Sequence, residues 1–161
     1  MCFLLKESYW NVIYNKYKKK YNIAKVFCFN GYGIDFNGCG EISIGEGSYI
    51  GEYSSIQSVE SRRVIIGKNC AISHFVSIYT CNYDASEIIY NNTKNNKKYG
   101  DVIIGNNCWI VRSVLIKEGV IIGNNCVIGS NAVVTTDVSD NSIAVGVPAK
   151  VIKKMPLIRA C

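Results

Sequence analysis

Aliphatic residues return along this chain at a fixed interval of six. Ile104, Ile110, Ile116, Ile122, Ile128 and Val134 stand six apart, and all are β-branched. Four residues after each comes a second small or apolar position, at Cys108, Val114, Val120, Cys126, Ala132 and Val138. An α-helix cannot place every sixth residue on one face, because its turn of about 3.6 residues does not divide six. A hairpin sheet would alternate with a period of about two and break at turns. A coil of short parallel strands fits, with one strand and one corner per hexapeptide and the aliphatic beat pointing inward.

The same register runs upstream. Ile44, Ile50 and Ile56 are six apart, with Ser48 and Ser54 as second beats. Ile66, Ile72 and Ile78 repeat the step, followed by Cys70, Val76 and Asn82. The step from Ile56 to Ile66 is ten, which predicts a small bulge around Glu60 to Arg63. The step from Ile78 to Ile104 is twenty-six, which predicts an excursion between Tyr83 and Gly100. Corners accept such insertions and inward positions do not. The expected organisation is a helical segment over 1–27, a coil over 28–139 with a loop at 84–100, and a C-terminal segment over 140–161 ending in a short helix.

The opening stretch "MCFLLKESYWNVIYNKYKKKYN" has no small-residue cleavage site after an apolar core, so it is a poor signal peptide. It predicts an amphipathic helix, with Leu4, Leu5, Val12 and Ile13 available for packing. No run of 18 or more apolar residues is present, so no membrane span is expected. The net charge is +6, and Lys18, Lys19 and Lys20 read as a solvated helix end. Weak contact with a membrane surface or an anionic partner is the alternative. No nucleic-acid partner is expected. With 161 residues, one domain is expected.

Eight cysteines raise the question of disulfides or metal. None forms a Cys-x-x-Cys pair, and Cys70, Cys108 and Cys126 occupy second beats, where a free cysteine serves as a small hydrophobe. Reduced thiols in the cytoplasm are the expectation. There is one histidine, His74, too few for the three-histidine zinc sites some such coils build between subunits, so no metal is expected.

From about Ile42 to Lys154 the chain resembles the hexapeptide-repeat acyltransferases. The residues that carry this are the repeat, "NNCWI" at Asn106 to Ile110, "GVIIGNNCVIGSNAVVTTDV" at Gly119 to Val138, and "SIAVGVPAKVIKK" at Ser142 to Lys154. The Trp-Ile element and the closing Gly-Val-Pro-Ala-Lys narrow the likeness to the sugar and xenobiotic O-acetyltransferase branch. The resemblance implies an all-β, left-handed parallel β-helix, assembled as a homotrimer. It also implies acetyl-CoA as acyl donor, lying along the groove between coils. By residue match, the amides of Arg112 and Ser130 would meet the pantetheine arm. Trp109 would stand near the thioester, and Lys150 would meet the phosphates. A basic tail for the lysine and subunit packing for Trp109 are the plainer readings.

Two departures from that branch bear on chemistry. Val111 and Arg112 follow Trp-Ile where the family has small residues. The branch carries its catalytic histidine where Tyr83 or, in a variant pattern, Cys81 stands here. A weakly acidic sugar hydroxyl attacks faster when a positioned base takes its proton, by roughly 10²–10⁴-fold. Catalytic candidates are therefore His74, Tyr83 and Asn82. His74 lies in "AISHFVSI", which resembles the histidine context of nucleotide-amino-sugar N-acetyltransferases. Tyrosine, with an ordinary pKa near 10, is a poor base.

The excursion "YDASEIIYNNTKNNKKYG" is too polar to build a core. Asp84, Tyr90 and Tyr99 are candidates for acceptor binding there, a mobile loop being the alternative. The expected function is transfer of acetyl from acetyl-CoA to a sugar hydroxyl, in surface polysaccharide or lipopolysaccharide synthesis. The alternatives are N-acetylation of an amino sugar or foreign amine, and a non-catalytic CoA-binding trimer.

Overall fold

A computed structural model describes residues 2–91 and 93–156, with side chains described from residue 6 onward. It is a left-handed parallel β-helix of about five turns. Its cross-section has three flat faces. Face A stacks Asn22–Ile23, Glu41–Ile44, Arg63–Ile66, Val102–Ile104 and Ile121–Ile122. Face B stacks Cys28–Asn30, Tyr49–Gly51, Ala71–Ile72, Trp109–Ile110, Val127–Ile128 and Ser142–Val145. Face C stacks Asp35–Asn37, Ser55–Gln57, Ser77–Tyr79, Leu115–Ile116 and Val133–Val134.

Every aliphatic beat is inside. Ile104 stands over Ile66 and under Ile122, Ile110 over Ile72 and under Ile128, and Ile116 over Ile78 and under Val134. All are at most 2% exposed. The second beats are buried too, save Asn82, which is half-buried. It leaves the core because the chain departs from the coil at Thr80 and returns at Gly100, whose N–H donates to the Thr80 carbonyl at 3.0 Å.

Tight corners need a residue in the left-handed region. At the corner from face A to face B this residue is Asn69, Asn107, Asn125 and Asn141, with φ of 55–59°. Asparagine enters that region at low cost. The same side chains form a ladder, with amides donating from Asn107 to Asn125 at 3.2 Å and from Asn125 to Asn141 at 3.0 Å.

Helix α1, Cys2–Lys20, covers the N-terminal end of the coil. Tyr14 stacks on Phe29 at 4.3 Å and Tyr17 on Phe36 at 5.2 Å, and the Tyr14 hydroxyl donates to the Gly31 carbonyl at 2.8 Å. Packing thus runs through aromatic residues. Of the four expected packing residues, Ile13 is half-buried and Val12 is 55% exposed, because the tyrosines occupy the inward face instead. The side chains of Leu4 and Leu5 lie outside the described residues.

Two further elements differ from expectation. The excursion carries secondary structure among the described residues: Cys81–Tyr83 pairs antiparallel with Lys97–Tyr99, and helix α2, Ala85–Asn91, lies between them. The Asp84 cap described below supports the helix. At the C-terminal end no helix forms among the described residues. Lys150–Lys154 instead turns back as an antiparallel strand on Ser142–Val145, closing the edge that the last coil would leave open. Residues 157–161 lie outside the described residues.

Candidate functional site

The corner between faces B and C gathers polar groups in one column. Glu52, His74, Arg112 and Ser130 occupy equivalent positions on successive coils. The Phe75 N–H donates to the Glu52 carbonyl at 2.9 Å, the Ser113 N–H to His74 at 3.0 Å, and the Asn131 N–H to Arg112 at 3.0 Å. The residues that follow in the chain, Tyr53, Phe75, Ser113 and Asn131, all have φ of 56–60°. That turn engages the carbonyls of Glu52, His74 and Arg112. The N–H groups of Arg112 and Ser130 have no acceptor among the described residues.

Lys150 joins the same corner from above. It pairs with Val145, whose neighbour Ala144 lies beside Ile128 on the last full coil. Lys150 is exposed. The Arg112 side chain does not fill the corner outward. Its guanidinium folds back over the Phe75 ring at 4.6 Å, and Phe75 in turn stacks on Tyr53 at 5.3 Å. Trp109 is 50% exposed on face B, between Ala71 and Val127.

His74 is half-buried, and its ring has a defined partner. The Glu52 N–H donates to Nδ1 at 3.0 Å. A neutral imidazole has one acceptor and one donor nitrogen. With Nδ1 accepting, the proton sits on Nε2, so the ring turns a donor outward. Nε2 has no partner among the described residues.

The other candidates lie at the far end of face C. Below the hairpin a groove of about 460 Å³ is lined by Asp35, Asn37, Gln57, Asn82, Tyr83 and Lys97, with Ser55 and Tyr79 on its floor. The Lys97 ammonium lies 5.1 Å from the Tyr83 ring centre. Asn82 donates its amide to the carboxylate of Glu118, which is 8% exposed and is also held by Lys117 at 3.3 Å. Within one chain, therefore, His74 stands with Arg112 and Ser130, while Asn82 and Tyr83 stand across face C in the groove.

Asp84 is already engaged. Its carboxylate accepts the Ser86 N–H at 3.0 Å, capping α2, and pairs with Lys98 at 3.2 Å. The Ser86 N–H bond first, and then Lys98, hold this carboxyl below its ordinary range. Tyr90 is 82% exposed on α2 and lines neither depression beside the hairpin. Tyr99 lines the depression on the hairpin's other side, with Cys39, Glu60 and Arg62. The motifs alone did not point to Asp35, Asn37, Gln57 and Lys97. The first three are outward neighbours of the inward beats Phe36 and Ile56, a period-two signal legible once the strands of face C are fixed.

Comparison with known proteins agrees with this architecture. The family model described as bacterial transferase hexapeptide, six repeats, matches residues 101–136. A maltose O-acetyltransferase structure from Clostridium difficile is 31% identical, with a TM-score of 0.60, covering 82% of this chain and 72% of that one. Galactoside O-acetyltransferase of Escherichia coli is 35% identical over 98 residues, which is 60% of this chain and 47% of that protein. A variant of an N-acyltransferase from Bacillus cereus, solved with dTDP-4-amino-4,6-dideoxyglucose and coenzyme A, is 25% identical, with a TM-score of 0.64, covering 86% of this chain and 79% of that one. The chain spans 47% to 66% of the length of the first curated relatives it matches. Repeat, coil and likeness converge: the chain belongs to the hexapeptide-repeat acetyltransferase family.

Proposed function

We propose that this protein moves an acetyl group from acetyl-CoA to a hydroxyl of a sugar. The observation that carries this is the order of groups along the corner between faces B and C. From the C-terminal end inward stand an exposed lysine, Lys150, then the unengaged amides of Ser130 and Arg112. Successive coils are spaced by about 4.8 Å. Coenzyme A has the same order of chemistry: phosphates, an arm of two amides, then the thioester. Lysine offers charge to the phosphates, and free backbone N–H groups meet the carbonyls of the arm. The thioester then falls at the level of Trp109 and His74.

The groove beneath the hairpin suits a sugar, with Asn37, Gln57, Asn82 and Tyr83 offering donors and acceptors around a tyrosine-lined floor. In one chain it stands apart from the column, so a homotrimer, bringing the groove of one subunit to the corner of another, is part of the proposal. Half-buried Ile65 and Ile103 and exposed Ile121 along face A are apolar surface that a neighbouring subunit would cover.

One observation favours a second acceptor class. The nitrogen of His74 that would take a hydroxyl proton already accepts the Glu52 N–H. An amine attacks as its free base and needs no such help, which supports N-acetylation of an amino sugar. The test is release of free thiol from acetyl-CoA in the presence of matched hydroxyl and amino sugars. Release with either set supports the reading and chooses between the two acceptors. Release with neither, under conditions where coenzyme A binds, would leave a binding protein in its place.

A further inference from the structure

We infer that His74 acts as a neutral hydrogen-bond donor, through Nε2–H, to the thioester oxygen as negative charge develops on it. The inference rests on the transferase reading above and assigns this residue a different task from taking up a proton.

The geometry carries it in three steps. Glu52 N–H points at Nδ1 from the coil below, at 3.0 Å, and that bond exists only while Nδ1 keeps its lone pair. While Nδ1 accepts that bond, the ring's own N–H is on Nε2. Gly51 leaves room for the ring in this position: a Cβ there would lie 2.9 Å from Nδ1, and Gly51 is buried. Finally, Nε2 has no partner among the described residues, and its column continues directly into Arg112 and Ser130, whose amides are also unengaged. The charged groups flanking it in that column are Glu52 below and Arg112 above, the latter held over Phe75.

A positioned donor at a developing oxyanion is a large source of rate, and a neutral imidazole can supply it. The acceptor's lone pair attacks the thioester carbon, and the carbonyl π pair moves onto oxygen, where Nε2–H meets it. The carbonyl re-forms as the C–S bond breaks, and coenzyme A leaves as thiolate. The acceptor's proton passes to water, and the thiolate takes one back from solvent.

Two variants separate donor from base. His74→Gln keeps an N–H at the reach of Nε2, whereas His74→Asn keeps only an acceptor near the Glu52 N–H. If the ring donates, the Gln variant stays within about tenfold of the parent, while the Asn variant loses roughly 10²–10³-fold in kcat. A base role predicts that both lose activity alike and that the parent rate rises through the histidine range. Because His74 is the one histidine in the chain, ¹⁵N labelling of histidine gives a readout independent of activity. A pyrrole-like Nε2 and a pyridine-like Nδ1 are expected at neutral pH. The opposite tautomer, or equal loss in the two variants, overturns the inference. A parent that binds coenzyme A and transfers nothing would instead remove the transferase reading, and this role with it.

Discussion

The Cys108 thiol donates to the Gly123 carbonyl, one coil above, at 3.0 Å. The contact repeats along the inner edge between faces A and B. Ser48 donates to Gly67 at 2.8 Å, Cys70 to Gly105 at 3.0 Å, and Cys126 to Ser139 at 3.2 Å. A small side chain with one donor fits each place and gives the carbonyl opposite its partner. Cys108→Ser should therefore fold with little loss. Cys108→Val should cost roughly 1–3 kcal/mol, read by denaturant unfolding, from an orphaned carbonyl. Equal stability of the two variants would deny the bond.

Thiol labelling separates the cysteines by position. Cys28 and Cys39 are exposed, whereas Cys70, Cys108 and Cys126 are buried. Burial pushes the Cys126 thiol above its ordinary range, which lowers its thiolate fraction further. Mass spectrometry after brief alkylation should find the first two modified and the inner three untouched until denaturant is added.

Removing a beat tests the coil. Ile110 is fully buried between Ile72 and Ile128. Ile110→Ala should cost roughly 2–5 kcal/mol in unfolding free energy. Ile121→Ala, at the exposed neighbour of a beat, should cost far less in the isolated chain.

Acid should loosen the excursion before the coil. The Asp84 carboxyl is held below its ordinary value of 3.8 by the Ser86 N–H and then by Lys98. A depressed folded value means the contribution is present above the unfolded value and fades as pH falls through the folded one. Amide exchange over α2 should quicken below that point, and Asp84→Asn should show the quickening already at neutral pH.

Alkali acts at the other end. Burial first raises the Tyr17 phenol from 10 to about 12, with the nearby Asp35 carboxylate adding to the rise. A raised folded value means this stability is complete below the unfolded value and is lost as pH rises through the folded one. Docking of α1 should weaken between pH 10 and about 12, visible in tyrosine absorbance, and Tyr17→Phe should remove that step.

The interior of this molecule was legible in the sequence because a coil repeats one steric demand. Ile104, Ile122 and their counterparts satisfy the same site on successive turns, so spacing alone identifies them. Arg112 and Ser130 were candidates through the likeness to the acetyltransferases, and their spacing of eighteen shows only that they stand on neighbouring coils. The terminal elements have no repeat. The aromatic face of α1 and the closing strand Lys150–Lys154 answer single demands at each end of the coil, which periodicity cannot show. The partner of the His74 ring is the Glu52 N–H, twenty-two residues away in sequence and visible only once the coils are stacked.

The placement of the acyl donor is the central claim, and amide resonances test it directly. Coenzyme A titrated into ¹⁵N-labelled protein should shift the Arg112 and Ser130 amides most, since these are the unengaged donors of the corner. Ser130→Pro, which deletes one donor, should weaken that binding while the coil still unfolds cooperatively. Shifts confined to other faces, with Arg112 and Ser130 unmoved and Ser130→Pro binding as the parent does, would contradict the account.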